Sequence, residues 1–263
     1  MKTLAFVVFL SLIVPCSHAG SIVYFTSQTG EPWGTMGVAD YQNAMATVFG
    51  TYTTEYYETA DASVFNPGTS FVLMEGGAGN DVPLQSYLDT YNILTPDILN
   101  WVAAGGRLMI DSAGWDNSIV TGFGDVTLNW DDYVNDESYN GYAVNPTDAI
   151  FQGPYTPVGT SWYGNYFSHD TVTGTGLTAL ITGDTGVGAN LAYETFGLGM
   201  VVFSGETPPT FQSPQPQVYN LLDNELAFAA TGVPIATPEP ASLALFGAGI
   251  GSLVALRRRR AGR

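Results

Sequence analysis

Apolar residues along the chain gather either into short unbroken runs or at spacings of three and four. Buried strands and packed helices read this way in turn. Ile22 to Phe25 is a short apolar run that predicts a first strand, and a glycine-containing loop follows from Thr26 to Gly37. Val38, Tyr41, Met45, Val48 and Phe49 recur at helical spacing, with Gly50 placed as a C-cap. Tyr52 to Tyr57, rich in threonine and tyrosine, predicts a second strand. Phe71-Val72-Leu73-Met74 is continuously apolar and closes on Glu75-Gly76-Gly77, as a strand covered on both faces does. Thr95-Pro96-Asp97 opens a helix with a cap, a first-turn proline and an acid at the positive end of the dipole. Ile98, Trp101 and Val102 form its apolar side, Gly105-Gly106 ends it, and Arg107 to Ile110 is the next strand. Phe71 to Asp111 is thus a strand–helix–strand unit, and a right-handed crossover makes its strands parallel.

From Ser112 to Gly176 the periodicity fades into Asp, Asn, Gly and aromatic residues, among them Trp115, Trp130, Tyr139, Tyr142, Trp162, Tyr163 and Tyr166. So long a stretch without clear elements predicts functional loops or an insertion. Order returns at Leu177 to Ile181. Ala189 to Glu194 and Met200 to Ser204, joined through Phe196-Gly197-Leu198-Gly199, predict a β-hairpin. Val218, Leu222, Leu226 and Ala229 line a last helix that Gly232 closes. The sum is an α/β fold: an open, mostly parallel sheet with helices on both faces, a C-terminal β-hairpin and a loop-rich insertion at about 112–176.

The two ends are not fold material. Residues 1–19 have a charged start at Lys2, an apolar run from Leu4 to Val14, and Ser17-His18-Ala19 before Gly20. That is the pattern of a secretory signal peptide cut after Ala19, and the run is short for a membrane span. Cys16 follows Ile13-Val14-Pro15, a poor lipobox. At the other end, 233–240 forms a linker containing Pro238-Glu239-Pro240, 241–256 is apolar, and 257–263 is basic, with Arg257, Arg258, Arg259 and Arg260 in a row. As a helix the apolar stretch spans about 24 Å, short for a core of about 30 Å unless the linker or arginine stems extend it. The arginines place this end in the cytoplasm and the body outside. The order Pro-Glu-Pro, short apolar helix, basic cluster resembles the PEP-CTERM sorting signal of Gram-negative bacteria. That resemblance implies an exosortase-type enzyme as partner. It also implies inner-membrane anchoring before a cut near the Pro-Glu-Pro, and then release to the surface or to exopolysaccharide. A plain tail anchor, never cut, would have no need of Pro238, Glu239 and Pro240.

Charge separates the body from its ends. Between Gly20 and Ala236 lie 23 of the 24 acids and a single basic residue, Arg107, for a net charge of −22. Without clustered cations the body is no nucleic-acid binder and no ligand for anionic lipid. Such a surface suits solubility and cationic partners, divalent metals included. The only cysteine, Cys16, leaves with the signal peptide, so the mature chain has no disulfide, thiolate metal site or cysteine nucleophile.

Three body segments together look like the class I glutamine amidotransferase-like fold, in the loose sense that includes ThuA-like proteins. They are Phe71 to Gly77, Leu99 to Asp111, and Glu194 to Gly205 with the helix after it. A flavodoxin-like sheet is the same architecture in general form. The family's catalytic cysteine is missing, and His169 is followed by Asp170 and Thr171 rather than by x-Glu. Amidotransferase activity is therefore not implied.

Ser112-Ala113-Gly114 is half of a nucleophile elbow, and His169 is the only histidine after Gly20. If Ser112, His169 and a carboxylate such as Asp170 or Glu194 converge, a secreted serine hydrolase results. Otherwise the first is a strand-end turn and His169 a loop residue. Glu75 to Gly79 lacks both the spacing and the lysine of a phosphate loop. Asp131, Asp132, Asp136 and Glu137 crowd one irregular segment with oxygen ligands of the kind Ca²⁺ takes, but in no EF-hand register, and a solvated acidic loop reads the same way. The tryptophans and tyrosines around them could stack on sugars or form the insertion's core. The leading expectation is a non-catalytic binding or structural surface protein associated with exopolysaccharide and without a cofactor. The serine hydrolase is the alternative.

Overall fold

The computed structural model describes residues 20–29, 34–77, 81–114, 117–130 and 138–232. The predicted signal peptide and the whole segment 233–263 lie outside these residues, as do Asp131, Asp132, Asp136 and Glu137. No helix among the described residues is long and apolar enough to cross a membrane.

The first half alternates strand and helix. In order come β1 (Ser21–Thr26), α1 (Gly34–Phe49), β2 (Thr53–Tyr56), β3 (Thr69–Glu75), α2 (Asp81–Leu88), α3 (Asp97–Ala103) and β4 (Arg107–Asp111). The second half is mainly β. It holds β5 (Ile119–Val120), β6 (Thr127–Asn129), β7 (Ser138–Ala143), β8 (Ser161–Ser168), β9 (Thr171–Thr173), β10 (Thr178–Thr182), β11 (Leu191–Phe196), β12 (Gly199–Ser204) and β13 (Gln212–Ser213), and ends in α4 (Gln217–Thr231). One sheet of ten strands runs β13-β8-β7-β10-β11-β12-β4-β3-β1-β2. Neighbours from β2 through β12 are parallel. From β12 through β13 they are antiparallel. The predicted unit from Phe71 to Asp111 is present, with β3 and β4 adjacent and parallel in the register Phe71↔Arg107 to Glu75↔Asp111.

Strand period decides what packs where. Ile22, Tyr24, Phe71, Leu73, Met109, Met200 and Val202 face one core, together with Tyr41 and Met45 of α1 and Leu221, Leu222 and Leu226 of α4. Val23, Phe25, Val72, Met74, Leu108, Ile110, Val201 and Phe203 face a second core, with Leu84 and Leu88 of α2 and Ile98, Trp101 and Val102 of α3. Each such side chain, fully buried, stabilises the fold by roughly 1.5–3 kcal/mol. Among the described residues the two cores run from Ile22 to Ala230.

The loop-rich segment 112–176 also carries five strands. β7 and β8 widen the main sheet, while β5, β6 and β9 form a separate three-stranded sheet whose Ile119, Leu128 and Val172 close the second core. The period-2 signal fails there for physical reasons. β7 has an irregular register between Ser138 and Asn140. Its core-facing position at Gly141 is a glycine because the Phe167 ring fills the space a Cβ would take. A π-helical turn, Asp89–Leu94, also went unforeseen; its Asn92 side chain donates to the Thr121 carbonyl (2.7 Å) and accepts from the Leu99 amide (2.8 Å).

The two-core arrangement sets an expectation for stability. Leu73→Ala, at a fully buried site, should cost about 2–5 kcal/mol in urea unfolding. Leu198→Ala, at the exposed hairpin turn, should change stability by about 0.5 kcal/mol or less. Equal effects would contradict the assignment of Leu73 to a central strand.

Candidate functional site

Parallel α/β sheets place their reactive groups where strands end, because the following loops and helix termini meet there. Here Glu75 ends β3, Asp111 ends β4 and Ser204 ends β12, in matched register. The strand period turns all three toward the face covered by α1 and α4. Tyr24 of β1 donates its phenol hydrogen to Glu75 Oε2. Tyr41 of α1 donates to Asp111 Oδ2 at 2.7 Å. Glu206, just past β12, and Glu225, on α4, complete a group of four carboxyls, each at least 95% buried.

Among the described residues no cation balances this group. Arg107 is the only Lys or Arg among the described residues, and it begins β4, four residues and about 13 Å from Asp111. Charge in such a place is held off by keeping protons on. Burial pushes Asp111 up to about 7, even though hydrogen bonds from Tyr41 and Ser204 favour its ionised form. Burial and then the Asp111 charge push Glu75 well above the usual carboxylate range. Glu206 and Glu225 are both raised well above it, first by burial. The two carboxyls share a hydrogen bond, which requires that one of the pair keep its proton.

Glu75 Oε1, Asp111 Oδ1, Glu206 Oε1 and Glu225 Oε1 have no hydrogen-bond partner. Tyr41, Asp111, Glu206, Gln212 and Glu225 line a cavity of about 10 Å³, room for roughly one water. No three His, Cys, Asp or Glu side chains among the described residues are arranged to hold a metal ion.

The residues singled out from sequence do not form a triad. Ser112 is fully buried, and its Oγ donates to Asp81 Oδ1 of α2 at 3.1 Å, not to His169. His169 is buried behind the Tyr166 ring, 5.1 Å between centroids, and burial lowers its pKa to about 4. The Asp170 carboxylate lies against Gly114, where an added Cβ would meet Oδ1 at 3.0 Å. Glu194 is on β11, beside Gly176. The carboxyl group itself was missed. Its one legible signal was Glu225, three residues after Leu222 and four before Ala229, an acid on the apolar stripe of a helix.

Beyond the body, residues 236–260 match the family described as the PEP-CTERM protein-sorting motif, a match that takes in Pro238, Glu239, Pro240 and Arg257 to Arg260. The chain carries a PEP-CTERM sorting motif. The motif marks it as an exported protein that an exosortase-type enzyme sorts to the cell surface. No curated protein matches this chain in sequence.

Among solved structures, a cytoplasmic protein from Salmonella typhimurium is similar at a TM-score of 0.45 and 13% identity, over 80% of this chain and 98% of that one. A ThuA-like protein from Bacteroides uniformis is similar at 0.46 and 11%, over 84% and 98%. A β-galactosidase from Bacillus circulans sp. alkalophilus is similar at 0.48 and 9%, over 83% of this chain and 32% of the enzyme, so the chain spans about a third of that protein. Likenesses of this strength carry no activity, substrate or residue role over to this chain.

The buried carboxyls fix the sign of a pH dependence. Their folded pKa values lie above those of unfolded carboxyls, so the folded state holds the extra protons. That stability is complete below the unfolded value of about 4 and is lost as pH rises through the folded values. His169 acts oppositely, but only between its ordinary value of about 6.5 and its folded value of about 4. Between pH 6.5 and 8.5 urea unfolding should therefore show stability falling, with Asp111 alone giving a slope of about 1 kcal/mol per pH unit at pH 6.5 that fades above its folded value of about 7. Asp111→Asn should reduce the fall, most at the lower end of the window. Stability that rises with pH across this window would contradict the assignment.

Proposed function

We propose that this protein is exported by its signal peptide and held in the inner membrane by residues 241–256. It is then cut near Pro238-Glu239-Pro240 and released as an acidic, non-catalytic body that binds or builds an exopolysaccharide-containing surface matrix. The observation that carries the reading is the sorting motif at 236–260, which follows a chain that opens with Lys2, an apolar run and Ser17-His18-Ala19. A charge of −22 on the released part supports a soluble fate, since self-repulsion keeps copies apart. Two features of the body support a non-catalytic role. The Ser112 hydroxyl is committed to a carboxylate rather than to an imidazole base, and the carboxyls at the strand ends close on a cavity of water size. No observation favours the serine hydrolase.

Mass spectrometry of surface-released protein should find an N-terminus near Gly20 and no peptide from Arg257 to Arg263. Replacing Pro238, Glu239 and Pro240 together by alanine should leave the protein in the membrane fraction with its basic end intact. Recovery of the intact basic end on released wild-type protein would refute the processing step. A glycan array probed with the 20–236 fragment tests the matrix role separately. Binding to neutral or basic glycans is expected. Turnover of an ester library by that fragment, abolished by Ser112→Ala, would replace the non-catalytic reading with the hydrolase.

A further inference from the structure

The antiparallel half of the main sheet has one wet face. Trp162 and Phe167 of β8 and Ile181 of β10 turn into the core beneath α1 and α4. Among the described residues, the second core takes nothing from β7 or β8. The strand period turns the alternate residues of these strands outward. Tyr142 of β7 and Tyr163 of β8 point there, 44% and 57% exposed. Tyr142 pairs with Ser161 and Tyr163 with Asn140, so the two rings stand diagonally across adjacent strands. Diagonal neighbours of this kind lie about 7–8 Å apart. On the far sides, Thr182 pairs with Tyr142 and Ser213 with Tyr163. Small polar side chains therefore flank both rings and leave them open.

An acid orders this face. Asp184, exposed and two residues past Thr182, takes three hydrogen bonds from β7. Its Oδ1 accepts from the Asn140 side-chain amide at 2.7 Å and from the Tyr142 hydroxyl at 3.4 Å. Its Oδ2 accepts from the Asn140 backbone N–H at 3.0 Å. Tyr142 is thus tied at its outer end, and its orientation is set before a ligand arrives. The only Lys or Arg among the described residues, Arg107, is on β4, so no cation shares the face with Asp184.

We propose that this face binds a saccharide chain bearing protonated amino groups. The proposal deepens the matrix role and rests on it, adding the kind of polymer and the place where it meets the body. A sugar ring has an apolar face and a polar rim, and tyrosine rings set among hydroxyls and amides match both. The amino group selects further. Its positive charge is drawn to the tyrosine faces, to the Asp184 carboxylate and to the field of a body at −22. A polyuronate meets that same field as repulsion. Two rings among small polar groups also lack the continuous apolar centre that a protein interface needs.

Calorimetric titration of the full chain, in a detergent without a sugar headgroup, tests the site. The probes are oligomers of glucosamine, glucose and galacturonate, at about pH 6 so that the amino groups are protonated. Glucosamine oligomers should bind, less tightly as NaCl rises, and more tightly than either of the others. Tyr142→Ala with Tyr163→Ala should weaken that binding at least about fivefold. Both rings are exposed, so the double variant should melt within a few degrees of the parent. Tyr163→Phe keeps the ring and should keep the affinity, whereas Asp184→Asn should weaken glucosamine oligomers more than glucose oligomers. Unchanged binding in the double alanine variant would overturn the proposal, as would a preference for glucose or galacturonate oligomers. Co-sedimentation of the parent with the native exopolysaccharide reads the matrix role independently. If the parent co-sediments but glucosamine oligomers do not bind, this site fails alone; if it does neither, both readings fail.

Discussion

Burial of β1, β3, β4 and β12 on both faces is the constraint from which the rest follows. A strand covered above and below has no wet side, so its residues alternate between two cores rather than between core and solvent. Helices α1 and α4 must then cover one face, and α2 and α3 the other. The same burial reaches the last residue of each strand. Glu75 and Asp111 are as deeply enclosed as the leucines and methionines before them, and Tyr24 and Tyr41 reach them from covered positions.

Enclosed acids without counter-cations leave protonation as the means of neutrality. A carboxyl–carboxyl hydrogen bond such as Glu206 to Glu225 exists only while one partner keeps its proton. The body is therefore highly charged outside and chemically neutral within. The exposed acids repel one another and are screened by salt, whereas the enclosed ones answer to pH and very little to ionic strength. Two kinds of acid on one chain thus respond to two different solution variables.

Much of the fold was legible because fully buried strands leave unmistakable runs. Phe71 to Met74 and Arg107 to Ile110 could hardly be read otherwise, and Gly232 announced the end of α4. What the sequence concealed was where packing had replaced pattern. Gly141 stands in a core position so that Phe167 can use its space, and the irregularity in β7 shifts the alternation. The candidate site was concealed for a different reason. Ser112 and His169 attract attention as residue types, yet what decides their chemistry is the neighbour each meets. Ser112 meets Asp81, and His169 meets an aromatic ring. The carboxyl group is assembled from β3, β4, the segment after β12 and α4, which no local spacing connects. Only the lone acid on the apolar stripe of α4 hinted at it.

Arg107 has a further consequence for survival outside a cell. Proteases of trypsin type cut after lysine or arginine, and they require several residues of extended chain to enter their cleft. From Gly20 to Ala236 the chain offers one such residue, and the bond after it lies within β4, hydrogen-bonded on either side to β3 and β12. Cleavage there demands that the central sheet open first, so the rate of digestion becomes a measure of global unfolding. In an environment shared with secreted proteases of that specificity, the folded body would persist for as long as its sheet stays closed.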